Sequence, residues 1–353
     1  MVCIAAFIIL AVIGLFVAII SIFKREVGKT YLKMMKKALG CVSKKVRLQK
    51  CETGFKEDVK NTVLSKVIIK HPKWVKPLSI IMEIVSVIIV VVTVWALLTA
   101  IKSLLALWTL GTCNVTKPSA CTMTSEQCDL SGEKEPSNIL EATGRWFTEW
   151  GDIFGAIPDK FRNWNPEQFA LKTINVKNEN QDAPIAVDIL DPGCSACYKS
   201  YNNQKDSGFM EKYNLKIVVL PIQSSEGDYK FKNSETIARY IYAAQTISDD
   251  LSVYILDGVF TRKKEYEDKH TEIYQNVFNT KIDKEKTIST LDQWAKEYNV
   301  PEEDINKIHE RMNSEDVTNI LKNNYKIVQE EIRAIGIPTM LYDGGRHTGL
   351  YEN

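Results

Sequence analysis

The chain has 353 residues, 45% of them apolar and 25% charged, and a formal net charge of +1. That balance excludes a disordered chain, a collagen-like repeat and a small disulfide-rich fold, and a mean hydropathy of -0.16 excludes a polytopic transporter. The length fits two or three domain-sized pieces, and the near-zero charge conceals a strongly partitioned chain.

Residues 1–23 contain no charged side chain. At 1.5 Å per residue the run is long enough to cross a bilayer as a helix. A signal peptide carries basic residues before its apolar core. Here they all follow it, so an uncleaved span is expected. Residues 24–76 hold sixteen Lys and Arg against four Asp and Glu, a local charge of +12. A second apolar segment occupies 77–110, with an uncharged core from Ile84 to Ile101 flanked by Glu83 and Lys102, and with Trp74 and Trp108 at its ends. Long charged side chains and tryptophans suit the membrane–water interface. The positive-inside rule then places the 24–76 loop in the cytoplasm and both termini outside. The opposite orientation would make the distal domain cytoplasmic and requires export of the +12 loop. The remainder of the chain carries −11, which argues against nucleic-acid binding there.

Within the loop, Lys29, Lys33, Lys36 and Lys37 recur at helical spacing among Tyr31, Leu32, Met34, Met35 and Leu39. This is either an interfacial amphipathic helix on anionic lipid or a topology signal alone. Cys41 and Cys51 should be reduced thiols on that side. With His71 they fall short of a metal-ligand set.

The 111–182 segment reads as an extracytoplasmic juxtamembrane piece. Cys113, Cys121 and Cys128 lie in a polar stretch that one disulfide could staple, and the spacing does not choose the pair. Cys3, at the outer end of the first span, could take the third thiol. Asn114-Val115-Thr116 fits a glycosylation sequon. From 137 to 164 an aromatic face recurs through Trp146, Phe147, Trp150, Phe154, Phe161 and Trp164, with Ser137 or Asn138 as cap and Pro158 as a break. It would either pack on the following domain or lie on the outer leaflet.

Ile185–Leu190 reads as a buried strand, Asp191-Pro192-Gly193 as a turn, and Cys194-Ser195-Ala196-Cys197 as the start of a helix. At that place free backbone N–H groups and the positive helix end stabilise a thiolate, the nucleophile of disulfide exchange. Cys197, one turn later, can close a disulfide on Cys194 and release a bound partner. Half a zinc site and a purely structural disulfide are the other readings of CxxC; zinc would need a second ligand pair. Farther on, Leu215–Leu220 reads as a second strand. Ile237, Ala238, Ile241 and Ala244 mark one amphipathic helix. Leu291, Trp294, Ala295 and Tyr298 mark another, with Ser289 and Asp292 as a capping box, and Val317 to Ile332 marks a last one. Gly336-Ile337-Pro338-Thr339 then leads to a strand, an Asp343-Gly344-Gly345 turn and a returning strand bearing His347.

This order of motifs resembles the thioredoxin superfamily, and within it the DsbA-like thiol–disulfide oxidoreductases, over residues 183–353. The resemblance implies an α/β thioredoxin-like fold with a helical insertion at about 222–335, here preceded by two transmembrane helices. It implies that Cys194 is the nucleophilic cysteine, Cys197 the resolving one, Pro338 a cis-proline facing them, and Ile337 the residue whose backbone pairs with substrate. No cofactor and no metal is implied. The expected partners are thiols or disulfides of exported or cell-surface proteins, a membrane or extracytoplasmic redox partner, and the lipid bilayer. Ser-Ala between the cysteines differs from the family's strong oxidants and points to a milder one; oxidase, isomerase and reductase directions stay open. Asp191 either accepts a proton near Cys197 or shapes the turn. No closing helix is expected after the last strand, and the aromatic 139–164 segment is expected to cover that face of the sheet. The other functional class is a thioredoxin-like binding or assembly module whose disulfide is structural.

Overall fold

A computed structural model describes residues 75–115, 117–120, 126–130, 136–224 and 228–352, together with Lys36, Gly40 and Ser43. The first apolar run, Cys3, Cys41, Cys51, His71, Cys121, and the basic loop apart from those three residues lie outside it. The chain divides into two units, Met1–Ile101 and Lys102–Asn353.

The first described element, α1, is Val75–Leu110. Its Ile84–Leu110 stretch is long and apolar enough to cross a membrane. β-Branched side chains are poor helix formers in water, yet Ile and Val dominate the first half of this stretch, and Ile84, Ile88, Val91 and Leu97 point outward. The hydroxyls of Thr93 and Thr99 donate back to Ile89 O (2.7 Å) and Trp95 O (3.0 Å), so neither is left unpaired on an apolar helix.

In the second unit the central strand is β3, Ile185–Leu190. It runs parallel to β4, Asn214–Val219, through the helices α3, Ser195–Asp206, and α4, Phe209–Lys212. A short strand, β2 (Ile174–Asn175), adds antiparallel to β4, so the sheet also draws on residues upstream of 183. On the other side of β3 lie β8, Thr339–Tyr342, and β9, Gly345–Thr348, both antiparallel to their neighbours. The order is β2-β4-β3-β8-β9. A strand paired on both sides and covered on both faces reads as an unbroken apolar run; β3 does so except at Asp188. The β8–β9 hairpin closes through Asp343 (φ 49°) and Gly344 (φ 74°), the two left-handed positions of a type I′ turn. A parallel βαβ unit with an antiparallel hairpin added beside its first strand is the thioredoxin-like arrangement that the resemblance implies.

Between β4 and the hairpin run the helices α5 (Ser234–Ala244), α6 (Asp249–Thr261), α7 (Tyr274–Thr280), α8 (Lys284–Glu297), α9 (Glu302–Met312) and α10 (Glu315–Lys326), with a small antiparallel pair, β5 (Lys263–Glu265) and β6 (Thr271–Ile273), between α6 and α7. Their buried stripes share one core with the sheet, with Ile237, Ala238, Ile241, Leu291, Trp294 and Val317 among its members. Tyr242 Oη ties the layers: it accepts from Val219 N and Asn324 Nδ2, each at 3.0 Å, and donates to Lys172 O at 3.2 Å.

Two expectations are corrected. Helix α8 starts five residues before Ser289, capped by Asp283, whose carboxylate accepts from Lys286 N at 2.9 Å. Ser289 and Asp292 are therefore interior, and Asp292 instead accepts from the Tyr240 hydroxyl. The aromatic segment does form a helix, α2 (Ile139–Gly155), capped by Asn138 as expected. It does not lay its aromatic face on the sheet, because Phe147, Phe154 and Phe161 stay 61%, 53% and 77% exposed. The break before Pro158 turns the chain, and Asp159, Asn163 and Trp164 reach the hairpin. Trp164 is buried there, its backbone N–H donates to Gly344 O at 2.9 Å, and Arg346 lies over its ring.

Candidate redox site

Cys194 caps the N-terminus of α3 in an extended conformation, and the next turn begins with Tyr198 N donating to Cys194 O at 3.1 Å. The turn before it is held on every side. Asp191 Oδ1 accepts from Gly193 N at 2.6 Å and from the Ser234 hydroxyl, and Oδ2 accepts from Ile222 N at 2.6 Å. Gly193 O accepts from Asn279 Nδ2 (2.7 Å) and Gln275 Nε2, both on α7. A Cβ at Gly193 would stand 2.4 Å from Phe231 Cβ, so this position excludes any side chain. Asp191 thus shapes the turn and also ties it to the insertion.

The Ile337–Pro338 peptide bond is cis. Pro338 O accepts from Gly349 N at 2.8 Å, and the Thr339 hydroxyl donates back to Gly336 O at 2.6 Å, which pins the loop to both flanks. Cys194 Sγ lies 3.9 Å from Ile337 O. The fold thus brings together Cys194, Ile337 and Pro338 from positions more than 140 residues apart in sequence. His347 is exposed and stacks on Tyr342, away from this cluster.

Cys194 is disulfide-bonded to Cys128, at a Cα–Cα distance of 6.3 Å. Cys197 is the free cysteine among the described residues, fully buried, and its sulfur accepts from Asp191 N at 3.4 Å. Cys113 is also disulfide-bonded. The Cys128 segment is seated in register on the proline loop. Strand β1, Cys128–Asp129, pairs antiparallel with β7, Gly336–Ile337, placing Cys128 opposite Ile337. The pairing continues through Leu130 N to Ile335 O at 3.0 Å. Leu130 is buried in the core, and Glu126 pairs with Lys199 on α3 at 2.6 Å. Gly336 permits the approach, since a Cβ there would come within 3.0 Å of Gln127 and 3.2 Å of Cys128 O.

Two carboxyls lie beneath the cysteines. Burial pushes Asp188 up to about 7 and Asp191 up to about 6, although hydrogen-bond donors pull both back. Burial also pushes the Cys197 thiol well above its ordinary value; the Asp191 N–H opposes this, and the two carboxyls add to it. Asp188 was missed in sequence, although one ionisable residue inside the run Ile185–Leu190 is a visible signal. The sequence offers Cys113, Cys121 and Cys3 as partners for Cys128, and the structure pairs it with Cys194 instead.

No protein-family model and no curated protein matches the sequence. Among solved structures, the chain is similar to the thiol-disulfide exchange protein alpha-DsbA2 of Wolbachia pipientis, at 17% identity and a TM-score of 0.36, covering 52% of this chain and 82% of that one. It is similar to the catalytic domain of Proteus mirabilis ScsC, at 11% identity and a TM-score of 0.35, covering 53% and 88%. It is also similar to MdbA, a thiol-disulfide oxidoreductase of Corynebacterium diphtheriae, at 14% identity and a TM-score of 0.36, covering 47% and 78%.

Proposed function

We propose that the chain is a membrane-anchored thiol–disulfide oxidoreductase that acts on cysteines of exported or cell-surface proteins. The observation that carries this reading is a helix-capping cysteine beside a cis-proline loop, joined to one cysteine and followed within a turn by another that is free. Cys194 attacks a substrate disulfide or is attacked by a substrate thiol, the substrate strand lies along Ile337 and Pro338, and Cys197 resolves the mixed disulfide. Burial together with the neighbouring Asp188 and Asp191 carboxyls keeps Cys197 a thiol at rest. The anchor comprises Ile84–Leu110 and the apolar run at residues 1–23, and the redox unit faces the extracytoplasmic side, opposite the +12 loop.

The test is Cys194→Ala in the full-length protein, assayed for insulin reduction and for oxidation of a dithiol peptide. Loss of both supports the reading, and activity that survives overturns it. Orientation is tested by thiol labelling of intact cells after reduction; absence of label at Cys113 and Cys121 overturns it. The complete burial of Cys194 favours one other reading, a binding module with an inert disulfide. A reduction potential below about −300 mV would suit that module, and a higher one suits exchange.

A further inference from the structure

We infer that Cys128 is a third exchange-active cysteine, and that residues 126–130 are a tethered strand which closes the redox site until Cys197 expels it. The inference rests on Cys194 being the exchanging thiol. Four features of the segment act together. Its backbone adds to the Gly336–Ile337 edge with Cys128 opposite Ile337. Leu130 fills the core two residues beyond the cysteine. Glu126 meets Lys199 two residues before it. The sulfur of Cys128 is bonded to Cys194. A disulfide that only stapled a loop would need the last of these alone. Strand addition with alternate side chains in pockets is how a sheet edge recognises an extended peptide. A covalent tether raises the segment's local concentration far above that of a free peptide.

The step that opens the site needs no outside oxidant or reductant. The Cys197 thiolate attacks Cys194 Sγ. The Cys194–Cys128 bond breaks as the Cys194–Cys197 bond forms, and Cys128 leaves as a thiolate. The proton released by Cys197 ends on Cys128. One disulfide is exchanged for another, and the number of thiols is unchanged. The closed form holds a free Cys197 behind an occupied edge. The open form holds an oxidised Cys194–Cys197 pair, a free Cys128 and a vacant edge at Ile337.

Full-length protein in detergent is acid-quenched, alkylated, proteolysed and mapped by mass spectrometry, with the peptide Glu-Gln-Cys-Asp-Leu as the thiol probe. The wild type is expected to yield the Cys128–Cys194 link, with a Cys194–Cys197 share that grows on incubation at pH 8. Cys197→Ala should hold the Cys128–Cys194 link and abolish that growth. Cys128→Ser should yield Cys194–Cys197 alone and react with the probe about tenfold faster than wild type, because the tethered competitor is gone. Leu130→Asp, which leaves every cysteine in place, should lower the Cys128–Cys194 share several-fold. Cys128 joined to Cys113 or Cys121 in both wild type and Cys197→Ala would overturn the inference, as would a Cys128–Cys194 link whose share does not change on incubation. If Cys128→Ser reacts with the probe only at the wild-type rate, the tethered strand is refuted and the oxidoreductase reading stands. If Cys128→Ser reacts with neither probe nor insulin, both fall.

Discussion

Asp188→Asn is expected to make the protein more stable at alkaline pH and no more stable at acid pH. Asp188 is fully buried in the central strand. Its Oδ2 accepts from Gln204 Nε2 at 2.8 Å, whereas its Oδ1 and Gln204 Oε1 are both buried without a hydrogen-bond partner. In the ionised form the pair therefore has more acceptors than donors. A proton on the carboxyl, or an amide in its place, supplies the missing donor. Burial moves the group from 3.8 to about 7, so between those values the folded chain keeps a proton that the unfolded chain has released. Stability is full below the unfolded value and falls as pH rises through the folded one. At 1.36 kcal/mol per pKa unit, roughly three units correspond to about 4 kcal/mol, as an order of magnitude. Asparagine does not titrate and keeps the acceptor that Gln204 uses. Urea unfolding of the full-length protein in detergent, followed by near-ultraviolet circular dichroism from pH 4 to pH 8, should show the variant ahead by about 4 kcal/mol at pH 8, with the gap nearly closed at pH 4. Parallel pH profiles, or a variant weaker than wild type at pH 8, would refute the reasoning.

Gly193→Ala forces a Cβ to 2.4 Å from Phe231 Cβ and should cost about 1–3 kcal/mol in the same unfolding assay. Phe231 Cγ and Cδ2 would lie at 2.6 and 2.9 Å as well, so adding Phe231→Ala should relieve the clash only in part and adding Phe231→Gly should relieve more of it. Cys197, buried and with its thiol pushed well up, should react with iodoacetamide at pH 8 at least about a hundredfold more slowly in the folded protein than after unfolding, since the thiolate is the reacting form. Equal rates, read on the peptide that contains it, would count against that burial.

The elements nearest the chemistry were the most legible, because each is specified locally. The Ile185–Leu190 run, the helix opening at the CxxC pair and the two-residue turn at Asp343-Gly344 each carry their own pattern, and the structure forms all three. The partner of Cys194 was not legible. Cys113, Cys121 and Cys128 look alike in sequence, and the choice is made by an edge strand over two hundred residues away, at Gly336–Ile337. Local patterns misled where two of them competed. Ser289-x-x-Asp292 satisfies a capping box, yet Asp283 starts the helix earlier because Lys284, Glu285 and Lys286 are good helix formers. The aromatic stripe of Ile139 to Phe161 is periodic whether it packs on protein or on something else, so periodicity alone could not predict how much of it stays exposed.

The Tyr242 phenol would constrain any opening of the site at Cys194. Its oxygen takes the place of a ladder partner for Val219 at the end of β4 and meets Asn324 on the last insertion helix. Swinging the insertion outward would strand a core amide and a buried hydroxyl, each costing about 1–3 kcal/mol. Sheet and insertion therefore open as one cooperative unit. Their slowest-exchanging amides should share a single opening free energy in hydrogen exchange. An insertion that cannot act as a lid leaves the Glu126–Leu130 ribbon as the side of Cys194 through which a partner would enter.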